Sequence, residues 1–141
     1  MRWWYKMDDY LALEPLIIAR LNDQISGVTI KSTWGLARFV ENFDTPPAIL
    51  LVLESDMPGE INVSGSAQVV DQVWTCFVIV KDSANEAGPL ISQIIKAMNG
   101  WVPDPSCTPF NRIKSGFKHE YSPTGAMYFP LAFETRFVFT V

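Results

Sequence analysis

AMYFPLAFETRFVFTV, residues Ala126 to Val141, reads as one long β-strand. Side chains on a strand alternate between its two faces. Met127, Phe129, Leu131, Phe133, Thr135, Phe137, Phe139 and Val141 share one face and are nearly all apolar. Tyr128, Glu134, Arg136 and Thr140 lie on the other, which is largely polar. The first set is expected to be a core surface, with Phe133 and Phe137 buried, and the second to meet water or a partner. So apolar a strand at the end of the sequence is expected to belong to the fold.

Just upstream, Ser122-Pro123-Thr124-Gly125 is a turn, and residues Ile113 to Tyr121 alternate in the manner of a strand. The last two strands therefore read as a hairpin. Before them, Gly88-Pro89 opens a helix with Leu90, Ile91, Ile94, Ile95 and Met98 along one side, and Asn99-Gly100 ends it. An earlier helix starts at Pro15, which suits a first turn, and carries Ile17, Ile18, Leu21 and Ile25 up to Gly27. Val28 to Lys31 is a short strand, and Thr33 caps a further short helix through Phe43.

Ala48 to Glu54 is a continuous apolar run, the pattern of a strand covered on both faces. Asp56-Met57-Pro58-Gly59 reads as a turn. Ile61, Val63, Ala67 and Val69 alternate with polar residues as in an edge or one-sided strand, with Gly65 at a bulge or bend. Val70 to Lys81 is again apolar on both faces, and Asp71 marks a corner before it. The sum is an α+β fold, a mainly antiparallel sheet of about five to six strands with two to three helices packed on it. It is expected as one domain over residues 1–141, with residues 1–13 an aromatic N-terminal extension.

A chain of 141 residues has the size of one domain and can bury roughly two-thirds of its unfolded surface without staples. Charged residues make up 18%, below the ~25% usual for soluble domains, which points to extra apolar surface and self-association. The net charge of −4 and the lack of a basic run argue against direct nucleic-acid recognition. The longest apolar runs fall well short of the ~20 residues of a membrane span, and the N-terminus lacks a signal-peptide pattern, so no membrane role is expected. Cys76 lies in an apolar strand and Cys107 in a proline-rich loop, and a reduced, cytosolic setting is the expectation.

Catalytic chemistry has little to stand on. His119 is the one histidine, and in a strand Ser115 would sit about 13 Å from it, beyond hydrogen-bond reach. No nucleophile elbow precedes either residue. One histidine and two separated cysteines do not make a usual zinc site, and the glycines lack phosphate-loop spacing. No catalytic residue, metal or cofactor is therefore assigned, and the chain is not expected to be an enzyme.

Two aromatic clusters remain. Trp3, Trp4 and Tyr5 could pack in the core, dock on another subunit or stack on a ligand. The loop NGWVPDPSCTPFNR, Asn99 to Arg112, is either a rigid connection or a preorganised contact surface. Trp3, Trp4, Trp101, Phe110 and Arg112 are the candidate oligomer-interface residues.

From the last helix onward the pattern is specific. Ala97-Met98-Asn99-Gly100-Trp101, then proline, then a strand, then FPLAFET from Phe129 to Thr135, resembles the phage tail terminator or tail completion proteins, in particular their Mu-like prophage group. Ile18-Ala19-Arg20-Leu21, a Gly-Val strand and Pro47-Ala48 look similar as well, so the likeness covers roughly residues 14 to 141. The resemblance implies a non-enzymatic structural protein of the virion tail, assembled in the host cytoplasm. Such proteins form a hexameric ring that caps the tail tube, stops its growth and joins tail to head. The implied partners are further copies of the chain, the tail tube protein and head–tail connector proteins. A ring needs unlike surfaces that meet head to tail. One is expected around Ile61 to Val80 and the other on the Trp101 to Arg112 loop. The competing readings are another neck component, such as a head–tail connector, and a small-ligand binding module.

Overall fold

A computed structural model describes residues 7–34, 47–62, 64–81, 84–121 and 125–140. Among them are two helices, α1 (Leu13–Gln24) and α2 (Ala84–Met98). The strands are β1 (Thr29–Ser32), β2 (Ala48–Ile61), β3 (Ala67–Lys81), β4 (Asn111–Ile113), β5 (Glu120–Tyr121) and β6 (Ala126–Thr140). They form one sheet in the order β1-β2-β3-β6-β4, and β5 also pairs with β6. All pairs are antiparallel except β1 with β2. This mixed sheet with its two helices is an α+β fold.

The long strands behave as their alternation demands. On the helix side, Phe133 and Phe137 are fully buried, while Glu134 is half-buried and Arg136 exposed. They share a core with Trp74 and Val78 of β3, Ile49 and Leu51 of β2, and both helices. α1 offers Leu13, Ile17 and Leu21 from one stripe. α2 offers Ala87, Leu90, Ile94, Ala97 and Met98. Gly100 follows α2 with φ of +83°, the left-handed backbone that lets a helix end, whereas α1 already ends at Gln24 with Ile25 extended, two residues before Gly27.

The second face of the sheet is less open than its sequence suggests. Ala48, Leu50, Val52, Phe77, Ile79, Ala126 and Tyr128 form a smaller apolar cluster there, packed against Phe117. Tyr128, Ala132 and Val138, on the face of β6 expected to be polar, are buried. The central strands need two cores, and the run from Ala48 to Val52 supplies both.

Four expectations change. Residues Ile113 to Tyr121 do not form a continuous hairpin strand; β4 and β5 are short and residues 114–119 leave the ladder between them. Asp56 to Gly59 is not a turn, because β2 continues to Ile61 through two register shifts against β3. Gly59 is needed there, since an added Cβ would lie 2.9 Å from the Val69 carbonyl oxygen. The reversal comes at Asn62, whose Oδ1 accepts from the amides of Ser66 (2.8 Å) and Ala67 (3.3 Å), with Gly65 at φ +71°. β3 then runs through Asp71 without a corner. Finally, α2 begins before Gly88-Pro89, with Glu86 in its first turn and Ala87 buried. The helix expected from Thr33 to Phe43 lies, beyond Trp34, outside the described residues.

A candidate assembly surface

The outer edge of β6 is paired over most of its length. β5 pairs at Met127 and Tyr128, and β4 at Ala132 to Glu134. Cys107 bridges to Phe137 and Met7 to Phe139. The Met7 amide donates to the Val138 carbonyl and the Thr140 amide to the Met7 carbonyl, both at 2.8 Å. Tyr10 packs edge-on against Phe137 and Phe139 at 6.0 and 5.0 Å. Residues 7 to 13, expected within an N-terminal extension, are thus built into sheet and core.

The proline-rich loop is one of these seals. The Gly100 amide donates to the Phe110 carbonyl (2.7 Å) and the Phe110 amide to that of Trp101 (2.9 Å), which closes its base. Asp104 caps its turn by accepting from the amide and hydroxyl of Ser106. The Thr108 amide donates to the Arg136 carbonyl, and the Arg136 amide donates to the Thr108 hydroxyl. These bonds tie the loop to the sheet.

The candidate interface residues scatter accordingly. Phe110 is 1% exposed and belongs to the core. Trp101 is half-buried, stacked on Phe110 at 5.9 Å, with the Arg20 guanidinium 5.3 Å from its ring centre. Arg112 is exposed on β4, its amide donating to Asn99 Oδ1 at 2.9 Å. Trp3 and Trp4 lie outside the described residues. Of the expected strand surface, Val70 to Val80 is central and largely buried; only Ile61 and the Asn62 turn are exposed.

The opposite edge is different. β1 covers β2 only from Ala48 to Leu51, and among the described residues no strand pairs with the outer side of β2 beyond that point. Asp56 to Ile61 is exposed throughout, with Met57 and Ile61 each at 51%. Asp56 accepts from the Tyr10 hydroxyl (2.9 Å) and the Gln72 side-chain amide (3.1 Å). Burial and the Asp56 carboxylate push the Tyr10 hydroxyl up to about 12.

The excursion between β4 and β5 makes a feature that sequence reading missed. Residues 114–119 arch across the second face as far as β2. There Glu54, displaced by a register shift, accepts from the Ser115 hydroxyl, the Gly116 amide and the Thr75 hydroxyl. Phe117 lands on Phe77, with ring centres 5.1 Å apart. His119 lies exposed against Phe129 at 6.0 Å, outside any strand, and Ser115 points to Glu54. Under the arch is an open groove of about 410 Å³, with Ile113, Phe117 and Phe129 as its apolar wall and Arg112, Lys114 and Lys118 at its rim. A signal for it existed in the run Arg112 to Lys118, with three cations and no acid.

Among the described residues no group of three His, Cys, Asp or Glu side chains is placed to hold a metal ion, and no helix is long and apolar enough to cross a membrane. Cys76 and Cys107 are free and buried. Another groove, about 240 Å³ beside Thr108, holds Asp71 and Arg136, which pair across β3 and β6 at 2.8 Å.

A search of the curated proteins gave no match. The family model described as phage tail terminator protein matches residues 7–141, which is nearly the whole chain and includes both sheet edges. That family consists of structural tail proteins that work in association with other tail components. The chain belongs to the phage tail terminator family and is a structural component of a phage tail.

Proposed function

We propose that this protein closes into a ring of six copies on the end of the tail tube, stops tube polymerisation and provides the joint to the head. Family membership over residues 7–141 carries this reading. The two unlike sheet edges support it, because a ring requires a heterologous contact that repeats and closes. The partners are further copies of the chain, the tail tube protein and a head–tail connector, and assembly takes place in the host cytoplasm. The protein acts by surface complementarity, with no catalytic step. Each single contact in such a ring is weak and closure multiplies it, so copies stay apart until a tube end gathers them.

The test is to mix the protein with its own tail tube protein and image the products. Tubes of limited length with a ring of density at one end are the expected result. Tubes of unlimited length with bare ends would defeat the terminator role.

A further inference from the structure

We propose that adjacent copies meet by docking the open outer half of β2, Asp56 to Ile61, into the basic groove beneath the 114–119 arch of the next copy. The inference rests on the ring reading above and assigns its subunit contact.

Charge complementarity carries the argument. Asp56 to Ile61, DMPGEI, contains two acids and no cation, with Asp56 accepting from Tyr10 and Gln72 and Glu60 exposed, whereas Arg112 to Lys118, RIKSGFK, contains three cations and no acid. In a chain of net charge −4 with 11 Lys and Arg, such a concentration is uneven. Arg112, Lys114 and Lys118 are exposed, and among the described residues none has an ion-pair partner. Glu60, also exposed, has none either. Apolar surface is matched too. Met57 and Ile61 are half exposed, and Ile113, Phe117 and Phe129 provide an apolar wall. An extended six-residue segment spans about 20 Å, which suits an open groove better than a closed pocket.

Geometry excludes self-docking. Within one copy the arch reaches β2 only at Glu54, through Ser115 and Gly116, and Asp56 to Ile61 stays paired with β3, so the segment would have to leave its own sheet to enter the groove of its own copy. Among the described residues neither surface is covered, so each can take a different neighbour in a head-to-tail contact. Pro58 lacks an amide proton and limits continuous strand addition along this edge. The contact is thus made chiefly by side chains and steered by charge, which sets register and suppresses wrong pairings.

The experiment uses the full chain with its own tail tube protein and counts rings by electron microscopy. Three variants are compared with wild type: Glu60→Lys, Lys118→Glu and the two combined. Circular dichroism checks that each is folded; both substitutions lie on exposed side chains. Each single reversal places like charges together and is expected to lower ring yield about tenfold or more, and the combination to recover most of it. Single variants that form rings like wild type would overturn the docking while leaving the ring reading intact. So would a combined variant no better than either single one. Rings that still form with Lys118→Glu but no longer sit on tubes would assign the groove to the tube protein instead, also overturning the proposal. Absence of rings with wild type would overturn the ring reading itself, and the docking with it.

Discussion

Glu54 and Ser115, 61 residues apart in sequence, are joined by a 2.5 Å hydrogen bond from the Ser115 hydroxyl to Glu54 Oε1. The bond pins the 114–119 arch to a strand that lies on the far side of β3. The same carboxylate accepts from the Thr75 hydroxyl at 2.7 Å and the Gly116 amide at 2.8 Å. Three donors from two elements thus converge on one side chain, and Phe117 is held over the second core as a result.

Glu54→Ala should loosen this arrangement more than a surface change would. It leaves the fully buried Thr75 hydroxyl without its acceptor, and such a loss costs about 1–3 kcal/mol. The measurement is the urea midpoint, together with hydrogen exchange at the Gly116 amide, which should accelerate. Glu54→Gln keeps one acceptor oxygen and should fall between the two. An unchanged Gly116 exchange rate in Glu54→Ala would show that Phe117 holds the arch without Glu54.

Neighbouring positions on β6 should respond in opposite ways. Phe133→Ala empties a site that is 0% exposed, which typically costs about 3–5 kcal/mol. Arg136→Ala, three residues on and facing solvent, removes an exposed pair with Asp71 and should leave the denaturation midpoint close to wild type. Equal effects at the two positions would contradict the register of the strand.

Alternation revealed β6 because a period of two is hard to imitate by chance over so long a strand, whereas β3 was legible mainly as the apolar run from Val70 to Lys81. The helices were legible through apolar spacing, and the end of α2 through Gly100. Where local rules failed, pairing across the sheet had outweighed them. Pro58-Gly59 has turn chemistry, yet β3 holds β2 extended there, and Gly59 serves a close approach to Val69. The arch was hidden for a similar reason. Alternation in Ile113 to Tyr121 is real, but Glu54, far away in sequence, draws the segment out of the ladder. The candidate interface was the least legible part. An aromatic in a proline-rich loop has the same sequence signature whether it faces solvent or core, and Phe110 faces the core.

The cysteines should be chemically silent in the native protein. Burial pushes both thiols up to about 12; at Cys107 the Ser106 hydroxyl offsets part of this and the Asp104 carboxylate adds to it. At pH 8 the thiolate, which is the nucleophile, is almost absent in the fold. A thiol-reactive chromophore should register essentially nothing on the native chain and two groups after unfolding in denaturant. Rapid native labelling of one group would mean that the Cys107 loop opens away from Phe137.

Tyr10 gives the fold a specific alkaline limit. Its hydroxyl rises from an ordinary value of 10 to about 12, first through desolvation and then through its bond to Asp56. A folded-state value above the unfolded one means that this stabilisation is complete below pH 10. It is lost as pH rises through about 12, because the unfolded chain releases the proton first. The hydroxyl is mostly exposed, so solvent screening keeps the effect small. Tyr10→Phe keeps the ring against Phe137 and Phe139 and removes only the hydroxyl. Its deficit relative to wild type should be constant below pH 10 and shrink toward pH 12. Absorbance titration of wild type minus variant should show one tyrosine ionising near 12. A deficit that grows with pH would reverse the sign of this linkage and remove Asp56 as the partner that holds the proton.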